Sequence, residues 1–170
     1  MSVDINDENI RSDVHSFDPV SNEHSRVLIL GTIPSVQSRK AGFYYAHPRN
    51  RFWTVLSESF EQRQPHSVEE KTDLLLTNGV ALWDVLASCE ISGSDDSSIR
   101  EPVYNDIAAF VKSSSIQKIL CNGKKAYNLY CRFFNFPLTA LSMPSTSPAN
   151  AAWSVEQLIA AWKPELTSKN

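Results

Sequence analysis

Four short apolar runs, separated by segments of a different periodicity, constrain this chain more than any other feature. Val27-Leu28-Ile29-Leu30 is the first. Consecutive aliphatic residues without polar alternation mark a strand buried on both faces. The spacing predicts strand one over roughly 26–30, strand two over 80–83 closing at Asp84, strand three over 116–121 and strand four over 138–142. Between them lie helical patterns. One starts near Asn50, with Phe52, Trp53, Leu56 and Phe60 on one face. A second is opened by Ser67-x-x-Glu70, a capping-box pattern, and ends near Asn78-Gly79. Others are expected over about 105–112, from Asn122-Gly123 to about Phe134, and over 154–161. Segments 31–49, 90–104 and 144–150 read as loops. Strands alternating with helices require crossover connections and hence a parallel sheet. The expected fold class is α/β, a three-layer α/β/α sandwich around a central four-stranded parallel sheet.

At 170 residues, 42% of them hydrophobic, the chain suits one core, and residues 25–165 are expected to form a single domain. Residues 1–24 carry Asp4, Asp7, Glu8, Asp13, Asp18 and Glu23 against Arg11 and show no apolar periodicity. They read as an acidic, disordered N-terminal tail. No apolar run approaches the ~20 residues of a membrane span, and no basic start leads into an apolar segment as in a secretory signal. Cys89, Cys121 and Cys131 are widely spaced, with no metal-binding interval, so free thiols and a cytoplasmic location are expected, nucleoid-associated in a bacterial cell. The formal net charge of −3 argues against a coat of basic charge. The cations are nevertheless clustered: Arg39, Lys40, Arg49 and Arg51, then Lys118, Lys124, Lys125 and Arg132. A local nucleic-acid footprint fits that distribution.

Ligands of open parallel sheets bind at the carboxyl ends of the strands. Four segments converge there: 31–50, 83–84, 121–124 and 142–150. The first packs Tyr44, Tyr45, His47, Arg49, Asn50 and Arg51 beside Phe52-Trp53, a set able to stack on a base and contact phosphate. Each member has a plainer reading too. The tyrosines can cover a core edge, His47 can satisfy a loop carbonyl, and Asn50 can cap a helix. Asp84 can read a ligand donor or cap a turn. Asn122-Gly123-Lys124 can offer helix N-terminal amides to phosphate, although it is too short for a P-loop. The 144–150 segment is either a rigid connector or a surface that presses on a backbone.

Gly31-Thr32-Ile33-Pro34-Ser35 followed by Tyr45-Ala46-His47-Pro48-Arg49-Asn50-Arg51-Phe52-Trp53 resembles the first motif of the uracil-DNA glycosylase superfamily. The likeness is to its mismatch-specific and hypoxanthine (deoxyinosine) DNA glycosylase branches. Gly79-Val80-Ala81-Leu82-Trp83-Asp84-Val85-Leu86 resembles the strand that carries the base-reading residue. Met143-Pro144-Ser145-Thr146-Ser147 resembles the second motif, and the resemblance runs in order over about 26–162. Many members place Asp or Asn within Gly-x-x-Pro to position water, and His or Asn at the start of the second motif. Here Ile33 and Met143 occupy those places, and Asp84 stands where uracil glycosylases have Asn. In the hypoxanthine branch the chemistry is attributed to an asparagine further along the first motif, which by position is Asn50.

The resemblance implies a monofunctional glycosylase that removes deaminated bases from DNA, hypoxanthine before uracil or xanthine. It implies catalysis by Asn50 and His47, base contacts from Tyr45, Asp84, Ile33, Gly31 and Asn122, and DNA contacts from Arg49, Arg51, Ser145, Thr146, Ser147, Pro148, Asn150, Lys124 and Lys125. Neither metal nor cofactor is expected. The expected protein is a monomer whose abasic product passes to downstream repair enzymes. Alternatives are a mismatch-type uracil glycosylase, a catalytically silent binder of damaged DNA and a soluble nucleotide-binding domain.

Overall fold

The computed structural model describes residues 11–135 and 138–168. Its elements run β1 (Arg11–His15), β2 (Val27–Gly31), α1 (Val36–Ala41), α2 (Phe52–Ser59), α3 (Val68–Thr77), β3 (Val80–Asp84) and β4 (Leu86–Ser92). A 3-10 turn at Asp96–Ser98 leads to β5 (Arg100–Tyr104), α4 (Ile107–Lys112), β6 (Lys118–Asn122), α5 (Lys124–Phe133), β7 (Ala140–Met143) and α6 (Val155–Thr167). No helix among the described residues is long and apolar enough to cross a membrane.

The aliphatic runs form the central sheet, ordered β3-β2-β6-β7, with every pair parallel. Leu28 lies opposite Ala81 on one side and Ile119 on the other. From β2 the chain steps outward to β3 and later returns to β6 on the opposite flank, so the order reverses between β2 and β6. The crevice beyond the ends of these strands is the topological switch point of such a sheet. Side chains alternate between the two faces. Ile29, Leu82, Leu120 and Met143 pack with Phe52, Leu56, Leu75, Leu158 and Trp162 of α2, α3 and α6. Leu28, Leu30, Ala81, Ile119 and Cys121 pack with residues of α4 and α5 and with Val14, Cys89 and Ile91. The three-layer α/β/α arrangement follows from this division.

Indole N–H groups fasten loops to the core. Trp53 Nε1 donates to the Tyr44 carbonyl (3.3 Å), Trp162 Nε1 to Pro144 (3.0 Å) and Trp83 Nε1 to Phe17 (3.0 Å). α6 opens on a full capping box between Ser154 and Gln157. At α3 the Ser67 hydroxyl accepts from Glu70 N, while the Glu70 carboxylate accepts from His66 N, one residue before the cap.

Several sequence expectations are corrected. Of the tail expected over 1–24, residues 11–24 are folded onto the domain, and the first ten residues lie outside the described ones. From Arg11 the segment pairs with β4 in an antiparallel sheet ordered β1-β4-β5. Val14 is buried, and Val20 exchanges backbone hydrogen bonds with Leu82 (2.9 Å each way). The physical reason is that β3 is an edge strand, whose open amides favour pairing. Val14, Phe17 and Val20 are too sparse among polar neighbours to show periodicity. The loop expected over 90–104 is mostly the β4–β5 hairpin, and the loop over 31–49 contains α1. The last helix runs past Ala161 to Thr167, through Pro164, because Trp162 and Leu166 are buried and packing outweighs the proline penalty.

Val14→Asp places an unpaired carboxylate in this core and is expected to cost at least about 2 kcal/mol. Urea unfolding measures it; an unchanged midpoint would mean that the N-terminal segment is not docked.

Candidate active site

At the switch point the strand ends enclose a cavity of about 140 Å3. Its floor depends on Gly31. A Cβ there would stand 2.6 Å from Asp84 Oδ1 and 2.9 Å from Tyr45 Oη, both impossible approaches. Glycine is therefore what allows the carboxylate and the phenol to share the floor. Asp84 is paired in register with Gly31, and its carbonyl is held by Asn105 Nδ2 at 2.8 Å. The Asp84 side chain is only 3% exposed, and its Oδ2 has no hydrogen-bond partner among the described residues. Burial, and secondly the charge of Asp96, pushes its carboxyl up to about 7. The Tyr45 hydroxyl is buried too, near Asn122, and meets no partner in hydrogen-bond geometry among the described residues. Burial and then the Asp84 charge raise its pKa, so it stays protonated. Tyr45 adopts a left-handed backbone (φ 51°), a conformation costing roughly 1–2 kcal/mol for a side-chain-bearing residue. Its ring is held by Phe52, stacked at 4.0 Å and 19°.

One wall is a directional hydrogen-bond chain between loops distant in sequence. Asn122 Nδ2 donates to Thr146 Oγ1 (3.0 Å), and Thr146 Oγ1 donates to Asn50 Oδ1 (2.8 Å). Asn50 Oδ1 also accepts from Phe52 N (2.9 Å), at the start of α2. Thr146 N closes the link by donating to Asn122 Oδ1 at 3.1 Å. Both lone pairs of the Asn50 carbonyl are thus engaged, while its Nδ2 has no partner among the described residues. The N-cap of α2 is Arg51, without a side-chain cap bond, so Asn50 is not the helix cap; it bonds the Phe52 amide from one residue earlier and stands in the cavity wall.

All four segments expected to converge do so: Gly31, Ile33, Tyr45, Asn50, Asp84, Asn122 and Ser145–Ser147 line the cavity. A wider adjoining groove is lined by Lys124, Ser145, Ser147, Asn150 and Trp153, among others. Other expected residues lie elsewhere. His47 is not part of the cavity lining; its Nδ1 accepts from Arg49 N at 3.0 Å and organises the turn before Asn50. Arg51 is committed to the protein. Its guanidinium donates to the carbonyls of Thr146, Ser147, Asn150 and Trp153, which makes it a clamp on the second loop rather than a free phosphate contact. Arg49, Lys124, Lys125 and Pro148 are exposed around the rim. Sequence reading missed Ser38, Ser94 and Asp96 in the cavity and Trp153 in the groove. The Ser92–Ser98 stretch carries only a turn signal, and its place at the cavity follows from β4 pairing.

A parallel sheet with a small cavity at its switch point, bounded by a Gly-x-x-Pro loop and a second Pro-Ser loop, defines an α/β protein with its site at the strand ends. The sequence profile of the Uracil DNA glycosylase superfamily matches residues 19–166, and the chain belongs to that superfamily. A hypoxanthine DNA glycosylase of Methanosarcina acetivorans is 33% identical over 142 residues, covering 81% of this chain and 89% of the relative. One from Methanosarcina barkeri is 31% identical over 112 residues, covering 65% and 71%. The solution NMR structure of a proposed uracil DNA glycosylase from M. acetivorans matches with a TM-score of 0.79 at 28% identity, covering 92% of this chain and all of that one.

The Asp84 carboxyl has a stability consequence. Its folded-state pKa of about 7 lies above the ordinary 3.8, so the folded chain holds the proton more tightly than the unfolded chain. The Asp84 contribution to stability is greatest below about pH 4 and falls as pH rises to about 7, by up to roughly 4 kcal/mol. Asp84→Asn removes this dependence. Its melting temperature should exceed wild type by more at pH 8 than at pH 5; an equal difference at both would place an ordinary carboxylate at residue 84.

Proposed function

We propose that this chain is a monofunctional DNA glycosylase that hydrolyses the N-glycosidic bond of deaminated bases, hypoxanthine ahead of uracil and xanthine. The activity named for the Methanosarcina relatives supports this reading, and the unpartnered, buried Asp84 Oδ2 in the cavity carries the substrate preference. Hypoxanthine bears hydrogen on N1 and can donate it to that oxygen. Adenine offers a lone pair at N1, so above pH 7, where Asp84 is ionised, it leaves a buried acceptor unmet at about 1–3 kcal/mol, tenfold or better in discrimination. Tyr45, backed by Phe52, supports the ring of the extruded base. Extrusion costs a few kcal/mol, less for a mispaired base such as deoxyinosine.

Bond cleavage leaves positive charge on the sugar and negative charge on the departing purine. A donor aimed at that developing charge lowers the barrier. Asn50 fills this role through Nδ2, since its carbonyl is fully engaged. Ser145, Thr146 and Ser147 press on the DNA backbone, with Pro148 and Asn150 beside them. Arg49, Lys124 and Lys125 contact phosphate. Lys124 and Lys125 sit in the first turn of α5, where a helix dipole disfavours cations unless an anion is bound. In this reading the monomer acts without metal or cofactor, and its abasic product passes to downstream repair enzymes.

The apolar Ile33 and Met143 favour one rival, a silent binder of damaged DNA. Base release from duplexes carrying a single deoxyinosine or deoxyuridine separates the two. Wild type should release hypoxanthine faster than uracil. Asn50→Ala should reduce release about 100-fold, and Asp84→Ala should reduce the preference for hypoxanthine over adenine at least tenfold. Uracil-selective release would overturn the role of Asp84; binding without release would leave the silent binder.

A further inference from the structure

Resting on the glycosylase reading, we propose that Asp96 is a further catalytic residue, the carboxylate that orients and deprotonates the attacking water. The water needs an acceptor, and neither Ile33 nor Met143 has a side chain that can supply one. Asn50 Oδ1 is engaged by Phe52 N and Thr146 Oγ1, and Asn122 Oδ1 by Thr146 N. Asp84 lies on the floor, under the base.

With the base in the cavity and the strand along the groove, C1′ of the sugar lies at their junction. Four residues line both spaces: Ser94, Asp96, Ser145 and Ser147. The three serine hydroxyls accept from Val36 N, Ser147 N and Ala149 N at 3.0, 3.1 and 3.1 Å, and a hydroxyl is too weak a base to take the water's proton. The Asp96 carboxylate alone has no hydrogen-bond partner among the described residues, although the residue is half-buried. The hairpin tip that carries it is anchored to α1, by Val36 N on Ser94 and by Arg39 on the Gly93 carbonyl (3.0 Å). Burial raises the Asp96 pKa, opposed by Lys125 and reinforced by Asp95, a shift that favours proton acceptance near neutrality.

The step balances. The C1′–N9 bond breaks with its electron pair leaving on the purine, and the water oxygen bonds to C1′. The water's proton passes to Asp96 and returns through solvent to the released purine.

Single-turnover hypoxanthine release and duplex affinity test the assignment in the full chain. Asp96→Asn should lower the rate about 100-fold with affinity for deoxyinosine duplex unchanged or tighter, because a negative charge leaves the groove. Asp96→Ala should be similarly slow and partly rescued by added formate, a small carboxylate that a merely structural defect would not answer. Asp96→Asn within threefold of wild type, or a slow Asp96→Ala that formate leaves unimproved, would overturn the proposal. If Asp96→Asn does not fold, the formate response of Asp96→Ala decides alone. A wild-type chain that binds the duplex but releases no base would overturn the glycosylase reading itself, and this proposal with it.

Discussion

The site depends on the hydrogen-bond chain from Asn122 through Thr146 to Asn50 and on to the amide of Phe52. Thr146 is fully buried, so neither its hydroxyl nor its amide can fall back on water. Each bond of this kind adds only about 0.5–1.5 kcal/mol net, but a buried group left without its partner loses more. The chain therefore behaves as a unit, joining the end of β6 to the loop before α2 and the loop after β7. Arg51 adds a second tie, satisfying carbonyls along the 146–153 segment that would otherwise need solvent. The Arg51 side chain and the Trp162 indole, bonded to Pro144, hold the second loop from its two ends.

The floor shows the opposite balance. Asp84, buried against Tyr45 beneath a glycine that admits no Cβ, is a destabilising arrangement for a folded chain. Its Oδ2 gains no hydrogen bond from the described residues in return. Tyr45 adds backbone strain, offset by stacking on Phe52. A core built for stability alone would hold an apolar residue at position 84, like its neighbours Leu82 and Val85. Unpartnered polar groups in a cavity are what a site looks like when its partners come with the ligand.

The outer antiparallel sheet links this site to the N-terminal segment. β3 passes into β4 across Val85 alone, so the strand that ends in Asp84 leads directly into the hairpin whose tip bears Asp96. β1 closes the far edge of that hairpin, while Val20 covers the open edge of β3. Two carboxylates with different surroundings, one buried deep and one at the rim, are thereby supplied by a single continuous stretch of backbone.

Much of this was legible in the residues themselves. Val27–Leu30 and its three counterparts determined the parallel sheet, because runs of aliphatic residues without alternation have nowhere to go but a strand covered on both faces. The loops following those strands determined where a site would be, and the family resemblance in those loops singled out Gly31, Tyr45, Asn50, Asp84 and Asn122. What local pattern does not encode is partnership across sequence distance. His47 and Arg51 read as free functional groups until the fold gave one to a turn and the other to four loop carbonyls. Asp96 read as one acidic residue in a polar turn, and residues 11–24 as a tail. Their roles come from the pairing of β1 with β4 and β4 with β5, and from the approach of Thr146 to Asn50. Only the assembled tertiary structure brings those contacts together, since strand pairing and buried hydrogen bonds are set by which surfaces meet and not by the composition of either one.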